Sequence, residues 1–288
     1  MELSINILGL YGAAKGEAPV TPSQGIELAL RDGFRVFDFP LANMKFYDGD
    51  YKRELERSME VCAKGGGEIR YSHVPFRFPW EDESEENWAK FESCMTRAIE
   101  AAHILGVRYV AMHPYTTNVP TEEYDPAPCK EAAIRHLIPW LEQCDRLGVK
   151  LCAESMQGDE ACYPHRRYCA KVEELIDLVD TLHMPGITWD TGHAHIAVHK
   201  QSDALKLIGS RLKMLHIHDN DASRDLHLIP YAGSIDWDDF LEGLRAINYQ
   251  GDINYEQNLS GIPSALRAPI ITYLRDVGNS FIARLQGK

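Results

Sequence analysis

Residues 212–221 read LKMLHIHDND, a short apolar run that finishes in two histidines, two aspartates and an asparagine. A buried strand gains nothing from imidazoles and carboxylates at its tip, because burying a polar or charged group costs free energy unless a partner compensates it. Successive side chains of a strand point to opposite faces. Met214, His216 and His218 therefore share one face, and Leu215 and Ile217 share the other. Such a segment packs apolar residues on one side and delivers a row of ligand-type side chains on the other.

The same design recurs on both sides of it. Strand candidates lie at 3–10, 35–41, 68–76, 107–114, 149–156, 186–194, 212–220 and 251–258. Between and after them run helical patterns such as SQGIELALRDG, YKRELERSMEVCAKGG, ENWAKFESCMTRAIEAAHILG and PIITYLRDVGNSFIARL. Several carry apolar residues at i, i+3, i+4 and i+7 with glycine at the stop. Gly33, Gly106 and Gly148 each fall between a helix and the next strand, where a left-handed cap is needed. Strands alternating with helices imply parallel pairing through right-handed crossovers. Eight such units over 288 residues predict one domain, 1–288, folded as a single α/β (β/α)8 TIM barrel. A doubly wound open sheet fits the alternation too, but it more often carries a GxGxxG turn after the first strand, and ILGLYGAAKG is not one.

Composition narrows the function. The net charge of −13 disfavours a phosphate-backbone ligand or an anionic membrane surface, both of which call for clustered Lys and Arg. No membrane span is expected, since no run approaches the ~18 uninterrupted apolar residues required. The N-terminus lacks a basic segment followed by an apolar stretch, so no secretory leader is expected. Seven cysteines without a CxxC pair read as reduced core thiols of a cytoplasmic protein, and nothing in their spacing supports a zinc ribbon.

In a (β/α)8 barrel, catalytic groups come from the C-terminal ends of the strands. Here strand three ends in His73, four in His113, five in Glu154, six in Asp190 and His193, seven in His216 and His218, and eight in Glu256. One polar tip is ordinarily a strand reaching water. Converging carboxylates, by contrast, repel one another unless a cation neutralises them. Carboxylates with imidazole describe a site for a divalent ion such as Mn2+, Mg2+, Co2+ or Zn2+. The alternative is a solvated polar ring without metal.

The segments CAES (152–155), WDTGH (189–193), HIHDN (216–220), GSIDW (233–237) and GDINYEQ (251–257) together resemble the xylose isomerase-like barrel superfamily. That group includes sugar and sugar-phosphate isomerases and epimerases, among them the ketose 3-epimerases. The resemblance implies one divalent metal, Mn2+ first among the candidates, held by Glu154, Asp190, His216 and Glu256. Glu154 and Glu256 would double as the acid/base pair in a carbohydrate isomerase. His193 resembles a contact to a substrate oxygen, and His218, His73 and His113 would face the substrate, with His218 the alternative ligand to His216. The partner implied is a small-molecule sugar or sugar phosphate, and the assembly a homo-oligomer, either a dimer or a tetramer.

Two loops could add contacts. QGDEACYPHRRYCA (157–170) offers His165, Arg166 and Arg167 for phosphate or carboxylate, or is an ordinary solvated loop. In RFPWEDESEEN (77–87), Trp80 could cover a sugar face or simply pack down.

A rival from another class is the repair nuclease endonuclease four, which shares the superfamily and carries three zinc ions. Carried over motif by motif, its ligands fall on His73, His113, Glu154, Asp190, His193, His216, Asp225, His227 and Glu256, so Asp225 and His227 are possible additional metal ligands. Such a site would favour phosphoester hydrolysis or another metal-dependent hydrolase or lyase reaction. The acidic chain without a Lys/Arg-rich loop speaks against nucleic acid, and the short polar loop leading into GSIDW matches the sugar-enzyme pattern better.

Overall fold

Eight parallel strands, β1 (Leu3–Asn6), β2 (Val36–Phe39), β3 (Glu68–His73), β4 (Tyr109–Met112), β5 (Leu151–Glu154), β6 (Ile187–Asp190), β7 (Leu212–His216) and β8 (Ile253–Tyr255), pair in the order β7-β6-β5-β4-β3-β2-β1-β8. The ring closes where Ile217 bridges Tyr255, with Ile217 N–H donating to the Asn254 carbonyl and Glu256 N–H to that of Ile217. The expected (β/α)8 barrel is what the chain forms. The computed structural model describes residues 1–79, 82–116, 121–158, 167–197 and 200–287.

The helices are α1 (Ile7–Tyr11), α2 (Pro22–Arg31), α3 (Tyr51–Lys64), α4 (Glu85–Leu105), α5 (Pro126–Leu147), α6 (Val172–Thr181), α7 (Thr191–Ile196), α8 (Gln201–Ile208), α9 (Trp237–Ala246) and α10 (Ala268–Leu285). Side-chain caps start several of them. Thr21 and Gln24 form a reciprocal capping box on α2, Ser84 caps α4, and Asp236 caps α9 by accepting from the Asp238 and Asp239 N–H groups. Gly106 and Gly148 close α4 and α5 in the left-handed region, as their positions predict.

All eight strand candidates overshoot the observed strands, and two of them run on into a helix. LSINILGL bends after Asn6, whose side chain caps α1 by accepting from Gly9 N–H. WDTGHA ends at Asp190, which caps α7 by accepting from His193 N–H at 2.7 Å. In both, apolar or ligand-type residues continue the strand pattern past the turn, and a polar strand-end side chain captures the free N–H groups of a helix.

Alternation along each strand divides the core in two. Ile5, Phe37, Phe39, Val110, Met112, Leu151, Ala153, Trp189, Leu215, Ile217 and Tyr255 belong to the apolar layer shared with the helices. Residues of the other parity fill the barrel, where Val36, Tyr71, Ala111 and Met214 form a separate small cluster against Tyr109. Below it, Asp252 accepts from Glu2 N–H, from Arg70 and from the Tyr71 hydroxyl, each at 2.8 Å, and so plugs the N-terminal end. Above it, the inward positions become polar and the candidate site begins.

Candidate active site and cation centre

Glu154 is the last residue of β5 and is almost wholly buried. Its Oε1 lies 2.9 Å from Nδ1 of His216 on β7, and its Oε2 lies 3.0 Å from Nε2 of His73 on β3. His113 Nε2, after β4, stands 3.6 Å from the same Oε2, and His193 Nδ1 stands 3.7 Å from Oε1. Glu256, following β8, brings Oε2 to 3.3 Å from His216 Nδ1. Asp190 spends one oxygen on the α7 cap and turns the other to His218 Nε2 at 3.0 Å. One ligand atom each from Glu154, Asp190, His216 and Glu256 lies within 4.8 Å of the others, so β5 to β8 bring the four expected residues together.

Two further groups flank this one: His73 with His113 and Glu154, and His218 with Asp225 and His227, each meeting the same 4.8 Å limit. Asp225 Oδ2 is 3.0 Å from His227 Nε2 and 3.4 Å from His193 Nε2. His218 and His227 stack with ring centroids 4.1 Å apart. The compact second group thus pairs His227 with His218, and His193 lies between that group and Glu154. Arg166, His165 and Trp80 lie outside the described residues.

The rings show which nitrogens are available. His73 Nδ1 lies 2.6 Å from the Val74 carbonyl, His193 Nδ1 2.9 Å from that of Ser155, and His227 Nδ1 2.7 Å from that of Glu256. A carbonyl only accepts, so in each ring Nδ1 carries the proton and Nε2 faces a carboxylate. Two lone-pair bearers at this distance require a proton or a metal cation between them. Imidazoles that hold a backbone carbonyl through one nitrogen and present the other are the arrangement metal sites use. The donor set, four carboxylates with neutral-capable imidazoles, fits a hard-to-borderline divalent ion.

Charge pairing without metal has its own signature. Burial pushes the Glu154 carboxyl up, but the His216 and His113 rings and the hydrogen bonds from His216 and His73 hold it well below the usual carboxylate range. Burial likewise raises Asp190, and His193 and His218 reverse it to a lowered value. Glu256 goes the other way, because burial lifts its carboxyl more than His216 and His227 pull it down. Burial lowers the imidazoles, yet His216 is carried well above its ordinary value by Glu154 and Glu256, and His227 to about 10 by Asp225. His113 keeps the burial effect and falls well below its ordinary value.

Sequence reasoning passed over Asp38. It lies on β2 between Phe37 and Phe39, is 1% exposed, accepts from Asn254 Nδ2 at 2.8 Å, and has Oδ2 3.7 Å from His216 Nε2. The available signal was parity: a charged residue at an inward position of an otherwise apolar strand.

A family described as the xylose isomerase-like TIM barrel matches residues 26–271. The D-psicose 3-epimerase of Enterocloster bolteae is 29% identical over 149 residues, 52% of this chain and 46% of that protein. The aligned regions span 23%, 46% and 55% of the lengths of the curated relatives this chain matches. Among solved structures, a D-tagatose 3-epimerase-like protein superimposes with a TM-score of 0.73 at 22% identity, covering 98% of this chain and 100% of its own. The IOLI protein, solved with a zinc atom, gives 0.76 at 16% identity over 99% of both chains. At these identities the structural likeness is one of fold. The family match spans most of the chain, and the chain belongs to the xylose isomerase-like TIM barrel family.

Proposed function

We propose that this chain is a divalent-metal-dependent sugar or sugar-phosphate epimerase or isomerase, acting on a carbon next to a carbonyl. The observation that carries this reading is the meeting of Glu154, Asp190, His216 and Glu256 from four successive strand ends. These four would hold the cation, with Mn2+ suited to three carboxylates and one imidazole. When bound, the cation polarises the substrate carbonyl and stabilises the negative charge that develops on its oxygen.

The protein's own groups supply the rest. Glu154 ends β5 and Glu256 follows β8; in this reading they flank the substrate carbon, one taking the proton and the other returning one. Return to the opposite face gives an epimer; return to the neighbouring carbon gives aldose–ketose exchange. His193, with Nδ1 fixed on the Ser155 carbonyl, would turn Nε2 from Asp225, 3.4 Å away, to a substrate oxygen. The likeness to a D-psicose 3-epimerase and a D-tagatose 3-epimerase-like fold supports a ketose as the substrate class. The six cysteines among the described residues are buried free thiols, which suits a reducing cytoplasmic setting. Incubating free and phosphorylated ketoses in D2O, with Mn2+ and with chelator, tests the reading. Metal-dependent deuterium uptake next to the carbonyl of one ketose is expected, and its absence from every ketose tried would argue against the reading.

One observation favours a second reading. The His73–His113–Glu154 and His218–Asp225–His227 groups flank the first and share its geometry, which suits two or three cations and hydrolysis or elimination at an ester. Metal content separates the two: one ion per chain fits the sugar enzyme, and three fit the hydrolase.

A further inference from the structure

The rings of the site differ in one respect. His73, His193 and His227 each place their second nitrogen on a backbone carbonyl between 2.6 and 2.9 Å away. His216 does not. Its Nδ1 faces Glu154 and Glu256, and its Nε2 has no hydrogen-bond partner among the described residues. Asp38 Oδ2 stands 3.7 Å from that nitrogen. Asp38 is equally short of partners. It is 1% exposed, receives one hydrogen bond, from Asn254 Nδ2, and leaves Oδ1 without any. A buried carboxylate normally gathers several donors or a cation, and a buried ring N–H normally finds an acceptor. Here the unpaired ring nitrogen and a carboxylate with a single donor stand 3.7 Å apart inside the barrel, through the oxygen that Asn254 holds.

We infer that Asp38 is the positioning residue of His216: when the cation is held, the 3.7 Å separation closes, the carboxylate accepts the Nε2–H and thereby fixes the tautomer that turns the Nδ1 lone pair toward the cation. This rests on the cation reading proposed above. Asn254 anchors the carboxylate from β8, so β2 and β8 together orient a ligand carried on β7. The inward parity of β2 supports the assignment. Val36 and Asp38 point into the barrel, and Asp38 stands one layer above the apolar cluster, level with the strand tips. Asp38 touches no substrate in this arrangement and acts only through the ring.

The test is Co2+ binding to the full chain, followed by visible absorption and by competition with a chromophoric chelator. It compares wild type, Asp38→Ala, Asp38→Asn and the ligand variant Asp190→Asn, with the melting temperature of each metal-free protein alongside. Loss of a hydrogen-bonding partner behind a ligand lowers metal affinity about 10- to 100-fold. Asp38→Ala is expected to show that loss with a shifted Co2+ band and an unchanged metal-free melting temperature. Asp38→Asn keeps an acceptor oxygen that Asn254 still pins, and is expected to stay within about threefold of wild type, against the tenfold or greater loss for a missing partner. Affinity unchanged in both variants would overturn the inference while leaving the cation reading intact. Equal loss in both together with a fallen melting temperature would make Asp38 a folding residue and would also overturn it. Should Asp38→Ala fail to fold, a tenfold loss in a stably folded Asp38→Asn would overturn the acceptor role as well. If wild type and Asp190→Asn alike take up no Co2+, the cation reading itself falls.

Discussion

Glu154 Oε1 stands 2.9 Å from Nδ1 of His216, although the two residues lie on strands separated by β6 and 62 positions apart in sequence. Glu154 is also the member common to the central group and to the His73–His113 group. Replacing it by Gln removes a charge from both at once while leaving the shape nearly unchanged. Glu154→Gln is expected to lose cation affinity by more than about 100-fold, beyond what loss of an outer partner costs, and to lose turnover with it. Metal analysis after gel filtration, with wild type in parallel, checks this. Stoichiometric retention of metal by the variant would contradict it.

Glu256 has a different position, at the more open edge of the site with its side chain 18% exposed. Glu256→Gln keeps an oxygen for the cation and loses a proton-transfer group. Its expected phenotype is a deuterium-exchange rate down by about 10²- to 10⁴-fold, the usual contribution of acid/base catalysis, with cation binding retained in weakened form. Measuring both on the same sample separates the two roles. Near-normal exchange would exclude Glu256 from proton transfer.

At the opposite end of the barrel, Asp252 holds Arg70, the Tyr71 hydroxyl and the Glu2 N–H. Asp252→Ala leaves a buried phenol and a mostly buried guanidinium short of an acceptor, while Glu2 and Glu68 continue to pair with Arg70. A loss of about 2–3 kcal/mol is expected from one broken buried network member. Urea unfolding reads it, and cation affinity of the folded variant stays at the wild-type value because the plug and the site lie at opposite ends of the strands. A change in affinity as large as the change in stability would refute that separation.

Thiol ionisation gives a pH prediction. Burial raises Cys62 to about 11, and Cys144 and Cys152 to about 12, from an ordinary value near 9. A thiol whose folded value is raised contributes stability that is complete below the unfolded value and is lost as pH rises through the folded one. Stability of the native chain is therefore expected to fall between about pH 9 and 12. Cys62, Cys94, Cys129, Cys144, Cys152 and Cys169 are all buried and are expected to resist a thiol reagent at pH 8 until denaturant is added. Mass mapping of labelled sites checks this, and rapid native labelling of Cys152 or Cys144 would contradict it.

Much of the barrel was legible because strand period two and helical period 3.6 alternate cleanly along the chain. His73, His113, Glu154, Asp190, His216 and Glu256 stood out as ligand types at the tips of otherwise apolar strands, and each sits at the barrel mouth. The strand ends at Asn6 and Asp190 were not legible, since an apolar run looks alike in a strand and in the first turn of a helix. Asp38 was missed for a different reason. Its significance depends on which ring it meets across the barrel, and that meeting is set by the stagger of β2 against β8 and β7, which no local pattern in RVFDFPL encodes. The place of His193, between Asp225 and Glu154, likewise depends on the turn that Asp190 imposes by capping α7.

The most direct measurement of the central claim is anomalous X-ray diffraction from Mn2+-loaded crystals, recorded above and below the manganese edge. The account predicts a manganese peak bonded to Glu154, Asp190, His216 and Glu256 at the mouth of the barrel, absent from crystals of Asp190→Asn. Manganese found only elsewhere, or those four side chains turned away from a common centre in the loaded protein, would contradict it.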